Sequence, residues 1–407
     1  MAETPNLGRL NENADTITYT DNALTRSPLY FSIDTTGTAT SNLNDSFSNQ
    51  PVASGFYFDI GAPIGIHLAT PVSDFGAYFR ADTSFYPGHT DLNHTSEVYS
   101  HLLTHQFSDT TTASWSVAGG HVVTLGHYLS PVIGIGTTGV VATTEASGLA
   151  PLTDAATTLS MSHQFSERDS LSTAVTGGWL DQPTLAGAAR GGSISNRQAT
   201  GGGDMQWQHA LNSRELAGIE FTNVYVAGLT PVGMSNFSSV KLTFGQTLTP
   251  HSSFTGGIGP LYTHSALTGT QDQNNFSYTA NAGVDYRRSF GRITAGYSRV
   301  YVVGYLAPTS VANQLYLTFD RPLSSRLFLS ADAQLLQSSA QQSGTSYSTF
   351  GFTSRLDMYM AHSLAYNISG SSFIQGTGAE EPGYRDNEVS FGVTYYFRSP
   401  LSRAGAQ

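Results

Sequence analysis

Apolar and polar residues alternate over long stretches of this chain. Phe276, Tyr278, Ala280, Ala282, Val284 and Tyr286 take every second position, with Ser277, Thr279, Asn281, Gly283, Asp285 and Arg287 between them. A strand sends successive side chains to opposite faces, so this segment has one apolar face and one polar face. After the turn Arg288-Ser289-Phe290-Gly291-Arg292, Ile293, Ala295 and Tyr297 resume the apolar face. The unit predicts a hairpin, and the remaining chain repeats it with variations.

Taken from the start, the alternation predicts strands from Leu29 to Thr40, Gly55 to Thr70, and onward to a last one carrying Val389, Phe391, Val393, Tyr395 and Phe397. Pro63 falls inside the second strand and predicts a bulge or bend there. The sequence His105-Gln106-Phe107-Ser108-Asp109 recurs as His163-Gln164-Phe165-Ser166-Glu167, each before a tight turn. Further turns are expected at Asn212-Ser213, Pro250-His251, Phe290-Gly291, Leu323-Ser324 and Ala361-His362, roughly every 40 residues, which is the length of a hairpin plus a longer loop. The count reaches eighteen strands, with short turns and both termini on one side and longer loops on the other. The fold expected is all-β: a closed antiparallel up-and-down transmembrane β-barrel of about 18 strands. Sixteen is the count if the first hairpin, Leu29 to Leu68, stays outside. Residues 1–27 are expected to be a flexible periplasmic lead-in, 28–398 the barrel and 399–407 a short tail.

Composition sharpens this picture. Charged residues make up 12% of the 407, about half the share of an ordinary soluble chain, as suits an outer wall facing lipid. The net charge of -11 and the lack of a basic stripe exclude nucleic acid as a partner. There is no cysteine, hence no disulfide and no thiolate metal site. No apolar run reaches the roughly 18 residues of a spanning helix. The opening Met1-Ala2-Glu3-Thr4-Pro5 lacks a basic start and an apolar core, so the expectation is a mature form with its signal peptide removed.

The segment Val389-Ser390-Phe391-Gly392-Val393-Thr394-Tyr395-Tyr396-Phe397 resembles the alternating, Phe-ended terminal strand of the bacterial outer-membrane β-barrel superfamily. The resemblance extends from Leu29 to Phe397. In that superfamily the Phe is usually the last residue, whereas here Arg398 to Gln407 follow. The resemblance implies the bacterial outer membrane, periplasmic termini, contact with outer-membrane lipid, and insertion by the barrel-insertion machinery. Within it, an 18-strand count resembles both sugar-specific porins and barrels that release exopolysaccharide. Trp115, Trp207, Tyr225, Tyr286 and Tyr395 are candidates for interfacial girdles.

Chemistry is then expected on the inner face. The lumen-lining candidates are Asp34, Asp59, Arg80, Asp82, Glu220, Lys241, Asp285, Arg287, Asp320, Asp332, Arg355 and Asp357. Acid outnumbers base, which suits neutral or weakly cationic hydrophilic solutes rather than a polyanion. Arg80/Asp82 and Arg355/Asp357 are same-face pairs expected to form wall salt bridges. Tyr316, Phe328, Tyr359 and Tyr396 also fall on the inner phase, where they either pack the lumen or offer sugars a stacking surface. The longest outer loop, residues 126–153, either folds inward or extends the strands outward.

Other signals carry less. Gly134-Ile135-Gly136-Thr137-Thr138-Gly139 spells a dinucleotide fingerprint, but no helical period follows it. His101 and His105, spaced as helical metal ligands, lie about 13 Å apart on a strand. Asp91, Asn93 and Glu97 lack the EF-hand pattern. No Gly-x-Ser-x-Gly elbow is present. No enzyme activity, metal or cofactor is expected. Three functions remain: a channel for hydrophilic solutes, saccharides included; the pore of a polymer-export system with periplasmic partners; and a structural or surface-binding barrel with a blocked lumen.

Overall fold

The computed structural model describes residues 29–42, 54–125, 129–130, 141–143, 149–182, 196–230, 232–267, 272–304, 310–340, 346–361, 363–377 and 384–397. The expected N-terminal lead-in and C-terminal tail lie outside these residues. The strands are β1 (Leu29–Thr40), β2 (Gly55–Ala69), β3 (Ser73–Phe85), β4 (His94–Ser108), β5 (Thr111–Leu125), β6 (Leu129–Ser130), β7 (Val141–Thr143), β8 (Leu149–Gln164), β9 (Asp169–Gln182) and β10 (Asn196–Ala210). They continue as β11 (Glu215–Thr230), β12 (Val232–Thr249), β13 (Ser252–Leu267), β14 (Gln273–Arg288), β15 (Gly291–Gly304), β16 (Ser310–Ser324), β17 (Leu327–Ala340), β18 (Ser346–Ala361), β19 (Leu364–Thr377) and β20 (Tyr384–Tyr396).

Eighteen of these form one continuous antiparallel wall; β6 and β7 do not belong to it. β5 pairs directly with β8, and β20 returns to β1 from Ser32↔Tyr396 to Thr40↔Glu388. Closure is reinforced by Thr40 Oγ1 donating to Asp386 Oδ1 at 2.8 Å and by the Phe31–Phe397 ring stack at 4.6 Å. The first hairpin is therefore inside the barrel, and the sixteen-strand count is excluded. The wall leaves no sheet edge where β1 meets β20, which is what a strand protein needs to cross lipid.

The apolar phase of each wall strand faces outward. Phe56, Phe58, Ile60, Leu242, Ile258 and Val175 are all exposed, an arrangement unfavourable in water and natural against acyl chains. Each of the eight short turns adds an exposed apolar residue: Val72, Phe107, Phe165, Leu211, Leu248, Phe290, Leu323 and Met360. Turns in water favour Gly, Asn, Asp and Ser instead, so this ring marks one rim of the lipid-facing band. Four of its members occupy register shifts, with Phe107 between Gln106 and Ser108, Leu248 between Thr247 and Thr249, Leu323 between Pro322 and Ser324, and Met360 between Tyr359 and Ala361. The repeated His-Gln-Phe-Ser motif belongs to this rim. His105 Nδ1 meets Ser73 Oγ at 2.7 Å and His163 Nδ1 meets Thr111 Oγ1 at 2.8 Å, each on a last rung between adjacent strands. His209 Nδ1 meets Asp169 Oδ1 at 2.8 Å in the equivalent place without the motif. Trp115, Trp207, Tyr225 and Tyr395 are exposed on the outer face, whereas Tyr286 is half-buried.

Three local expectations change. Pro63 makes no bulge: β1–β2 pairing lapses between Phe31↔Ile64 and Asp34↔Gly61, and the register resumes unshifted. A missing N–H interrupts a ladder without inserting a residue. The turn expected at Leu323-Ser324 lies at Ser325-Arg326, because Leu323 is taken up by the register shift. Lastly, β8 begins at Leu149, four residues before the expected end of the long loop. Within that loop, β7 pairs with β6 and, in parallel, with the outer end of β15, so the described part of the loop does not simply extend β5 and β8.

The outward face makes a depth-dependent prediction. Val175→Arg, in mid-strand, is expected to cost about 2–4 kcal/mol, and Phe165→Arg, on the rim, at most about 1 kcal/mol. Reversible urea unfolding in phospholipid vesicles reads both, and equal costs would contradict the assigned depth.

Candidate functional site: the inner wall

Strand alternation and register place Asp34, Asp59, Arg80, Asp82, Glu220, Lys241, Asp285, Arg287, Asp320, Asp332, Arg355 and Asp357 on the phase opposite the exposed apolar residues. The side chains gather into separate ionic groups. Under β1–β3, Arg80 Nη2 lies 2.8 Å from Asp34 Oδ2 and 2.6 Å from Asp82 Oδ1, while Ser84 Oγ donates to Asp59 at 2.5 Å. Gly61 sits beneath this cluster, and a Cβ there would run into Asp82, Asp34 and Arg80. Across β11–β12, Lys241 Nζ meets Glu220 Oε1 at 2.9 Å, with side chains only 1% and 4% exposed. Asp204 on β10 lies within electrostatic reach of both. Near the turns of β14–β15, Asp285 accepts from Arg287 at 3.2 Å and from Arg292 at 2.6 Å, and Arg292 stands opposite Asp320 in the ladder. On β18, Arg355 Nε meets Asp357 Oδ1 at 2.9 Å.

The inner aromatics divide into two kinds. Tyr316 reaches over β15, where Gly296 and Gly283 leave it room, so it fills wall space. Phe328, Tyr359 and Tyr396 form a track toward the turn side, with centroid separations of 5.8 Å and 6.4 Å. Phe328 is 38% exposed and stands opposite Asp357 in the β17–β18 ladder. A half-exposed ring beside an Arg/Asp pair offers an apolar face and hydrogen-bonding groups together, as a ligand contact surface requires.

Water does not reach the inner wall evenly. Toward the outer loops the inward side chains are buried, among them Gln198, Val226, Phe237, Thr263, Ala312 and Leu336. Ala312 and Leu336 are 0% exposed. Toward the turns they open: Arg287 is 57% exposed, and Asp285, Thr294, Thr318 and Ser330 are half-buried. The sector β19–β20–β1 departs from this, with Asn367, Tyr396 and Ser32 buried nearer the turns. Among the described residues the outer half of the inner wall is therefore its drier half.

Several inward groups escaped the sequence reading. Arg292, Asp204, Asp386, Glu388 and Tyr57 all have the polar phase. Extending the alternation backward from Val389 puts Glu388 and Asp386 opposite the apolar set, and backward from Met205 does the same for Asp204. Arg292 belongs to β15, because the turn before it is only two residues long, Ser289-Phe290. Among the described residues, no group of three His, Asp or Glu side chains is placed to hold a metal ion. Asp91 to Glu97 form a 3-10 turn and the start of β4, in which Asn93 Oδ1 accepts from the Tyr86 amide at 2.7 Å.

No protein-family model matches this chain, and no curated protein does. Similar solved structures include the FrpB iron transporter of Neisseria meningitidis, at 8% identity and TM-score 0.48, covering 93% of this chain and 83% of that one. Pseudomonas aeruginosa OccK2, solved with glucuronate, is 12% identical with a TM-score of 0.45, covering 91% and 98%. OccK3 of the same organism is 12% identical with a TM-score of 0.44, covering 95% and 100%. Likeness this distant assigns no family, and the fold rests on the ladders described above.

The buried pair gives a stability prediction. Lys241→Met strands Glu220 without its ammonium partner and is expected to cost about 3–5 kcal/mol, most of it recovered by adding Glu220→Gln. Unfolding in vesicles measures this double-mutant cycle, and a single variant as stable as the parent would contradict the pairing.

Proposed function

We propose that the protein is an outer-membrane channel for hydrophilic, neutral or weakly cationic solutes, with saccharides as the favoured class. The observation that carries this reading is an acid-rich polar wall, tied into lateral ion pairs, inside a closed 18-strand barrel. Charges paired along the wall leave a polar surface with a modest negative field and no strong anion trap. The Phe328 and Tyr359 rings beside Arg355 and Asp357 support saccharides, since a ring face and hydrogen-bonding groups lie together. The even strand count and the short turns on the terminal side support periplasmic termini and insertion into a bacterial outer membrane. No catalytic role is proposed.

A second reading, the pore of a polymer-export system opened by periplasmic partners, is favoured by one observation: the dry outer half of the inner wall. Single-channel recording of the refolded protein in a planar bilayer separates the two. The channel reading predicts steady steps, a reversal potential on the cation side in a salt gradient, and current block by oligosaccharide that Phe328→Ala weakens several-fold. A folded but silent protein would contradict it and favour partner-gated export or a blocked barrel.

A further inference from the structure

The ladder between β14 and β15 stops early. It runs from Arg288↔Gly291 to Ala280↔Arg299 and no further, although both strands continue outward. Arg299 marks the end: its guanidinium lies 4.3 Å over the Tyr278 ring, and its carbonyl accepts from Thr279 Oγ1 at 3.2 Å. Beyond it, β15 keeps β16 on one edge as far as Val302↔Ser310. Its other edge, held by β14 lower down, is taken in parallel by β7, with Val302↔Val141, Val303↔Ala142 and Gly304↔Thr143.

That pairing has a geometric consequence. β7 lies between β5 and β8 in the chain, and β15 stands seven strands along the wall from β8. Eighteen strands spaced about 4.8 Å apart and tilted about 40° make a round barrel about 35 Å across, in which strands seven apart are separated by about 33 Å. Thr143 is joined to Leu149 by six Cα steps, which span at most about 20–22 Å. The two walls must therefore approach each other at the outer mouth. The place where this is possible is the stretch of β15 that β14 no longer holds. Inward side chains beside it, Thr279, Ser298, Ala312 and Gln314, are buried, as a narrowed mouth requires.

We propose that the outer end of β15, drawn toward β8 by its ladder with β7, partitions the outer mouth and sets the largest solute that enters. The proposal rests on the channel reading. The absence of native cysteine makes it directly testable in the full-length refolded protein. Ala142→Cys with Val303→Cys is expected to form a disulfide on mild oxidation, seen as a gel-mobility shift reversed by reductant, because partnered Cα atoms lie within bridging distance. Ala142→Pro with Thr143→Pro removes two of the three amides of β7 and lies outside the wall, so the barrel still forms. In planar bilayers, polyethylene glycols of graded size added to the outer side are expected to enter the proline variant at about twice the mass excluded by the parent. The oxidised cysteine pair keeps the parent cut-off. Failure of the disulfide to form, or a flowing current with an unmoved cut-off, would overturn the partition alone. Silence of every form would overturn the channel reading with it.

Discussion

Lipid offers no hydrogen bonds, and this one constraint organises the molecule. Every backbone N–H and C=O at membrane depth has to find a partner inside the wall. Helices meet that demand within themselves, but this chain has two-residue alternation and, among the described residues, no helix long and apolar enough to cross. Strands meet it only by closing. The β1–β20 ladder, with its Thr40–Asp386 hydrogen bond and Phe31–Phe397 stack, is therefore the contact on which the other seventeen ladders depend. The same logic gives weight to the place where β14 and β15 stop pairing. There β15 takes β7 as a new partner from across the mouth.

Closure also sorts the chemistry. One phase of each strand meets lipid and carries Phe, Leu, Ile and Val; the other is enclosed and carries most of the charge. Enclosed charges are costly unless paired, so Arg80, Lys241, Arg292 and Arg355 each lie against a carboxylate on the same or a neighbouring strand. The pairing runs along the wall. It stiffens the barrel and leaves the interior polar with only a modest negative field, which suits passage of hydrophilic solutes.

Much of this was legible from alternation alone. The period of two fixed which residues share a face, so the inner phase of Asp34, Glu220 or Asp357 followed from Ile33, Phe221 or Met358 beside it. The bounds of β1 emerged directly, since polar turn chemistry flanks a clean alternating run. What stayed hidden was long-range. Nothing in the Gly- and Thr-rich stretch from Val132 to Thr144 announces a parallel partner in β15, because three-residue ladders are made by backbone and carry no side-chain signature. Register shifts at Phe107, Leu248, Leu323 and Met360 were hidden for the same reason, although the apolar residue at each turn was in plain view. The uneven wetting of the wall depends on what lies across the lumen, which no local pattern encodes.

The inner wall is dry toward the outer loops and wet toward the turns. Single cysteines on a background without native thiols report this directly through their labelling rate with a small, membrane-impermeant thiol reagent supplied on both sides of the vesicle membrane. Thr294→Cys and Thr318→Cys are predicted to react fast. Ser239→Cys, Thr263→Cys and Ser298→Cys are predicted to react at least tenfold more slowly. Equal rates at both levels would mean an outer half as open as the turn side, and would contradict the narrowed mouth.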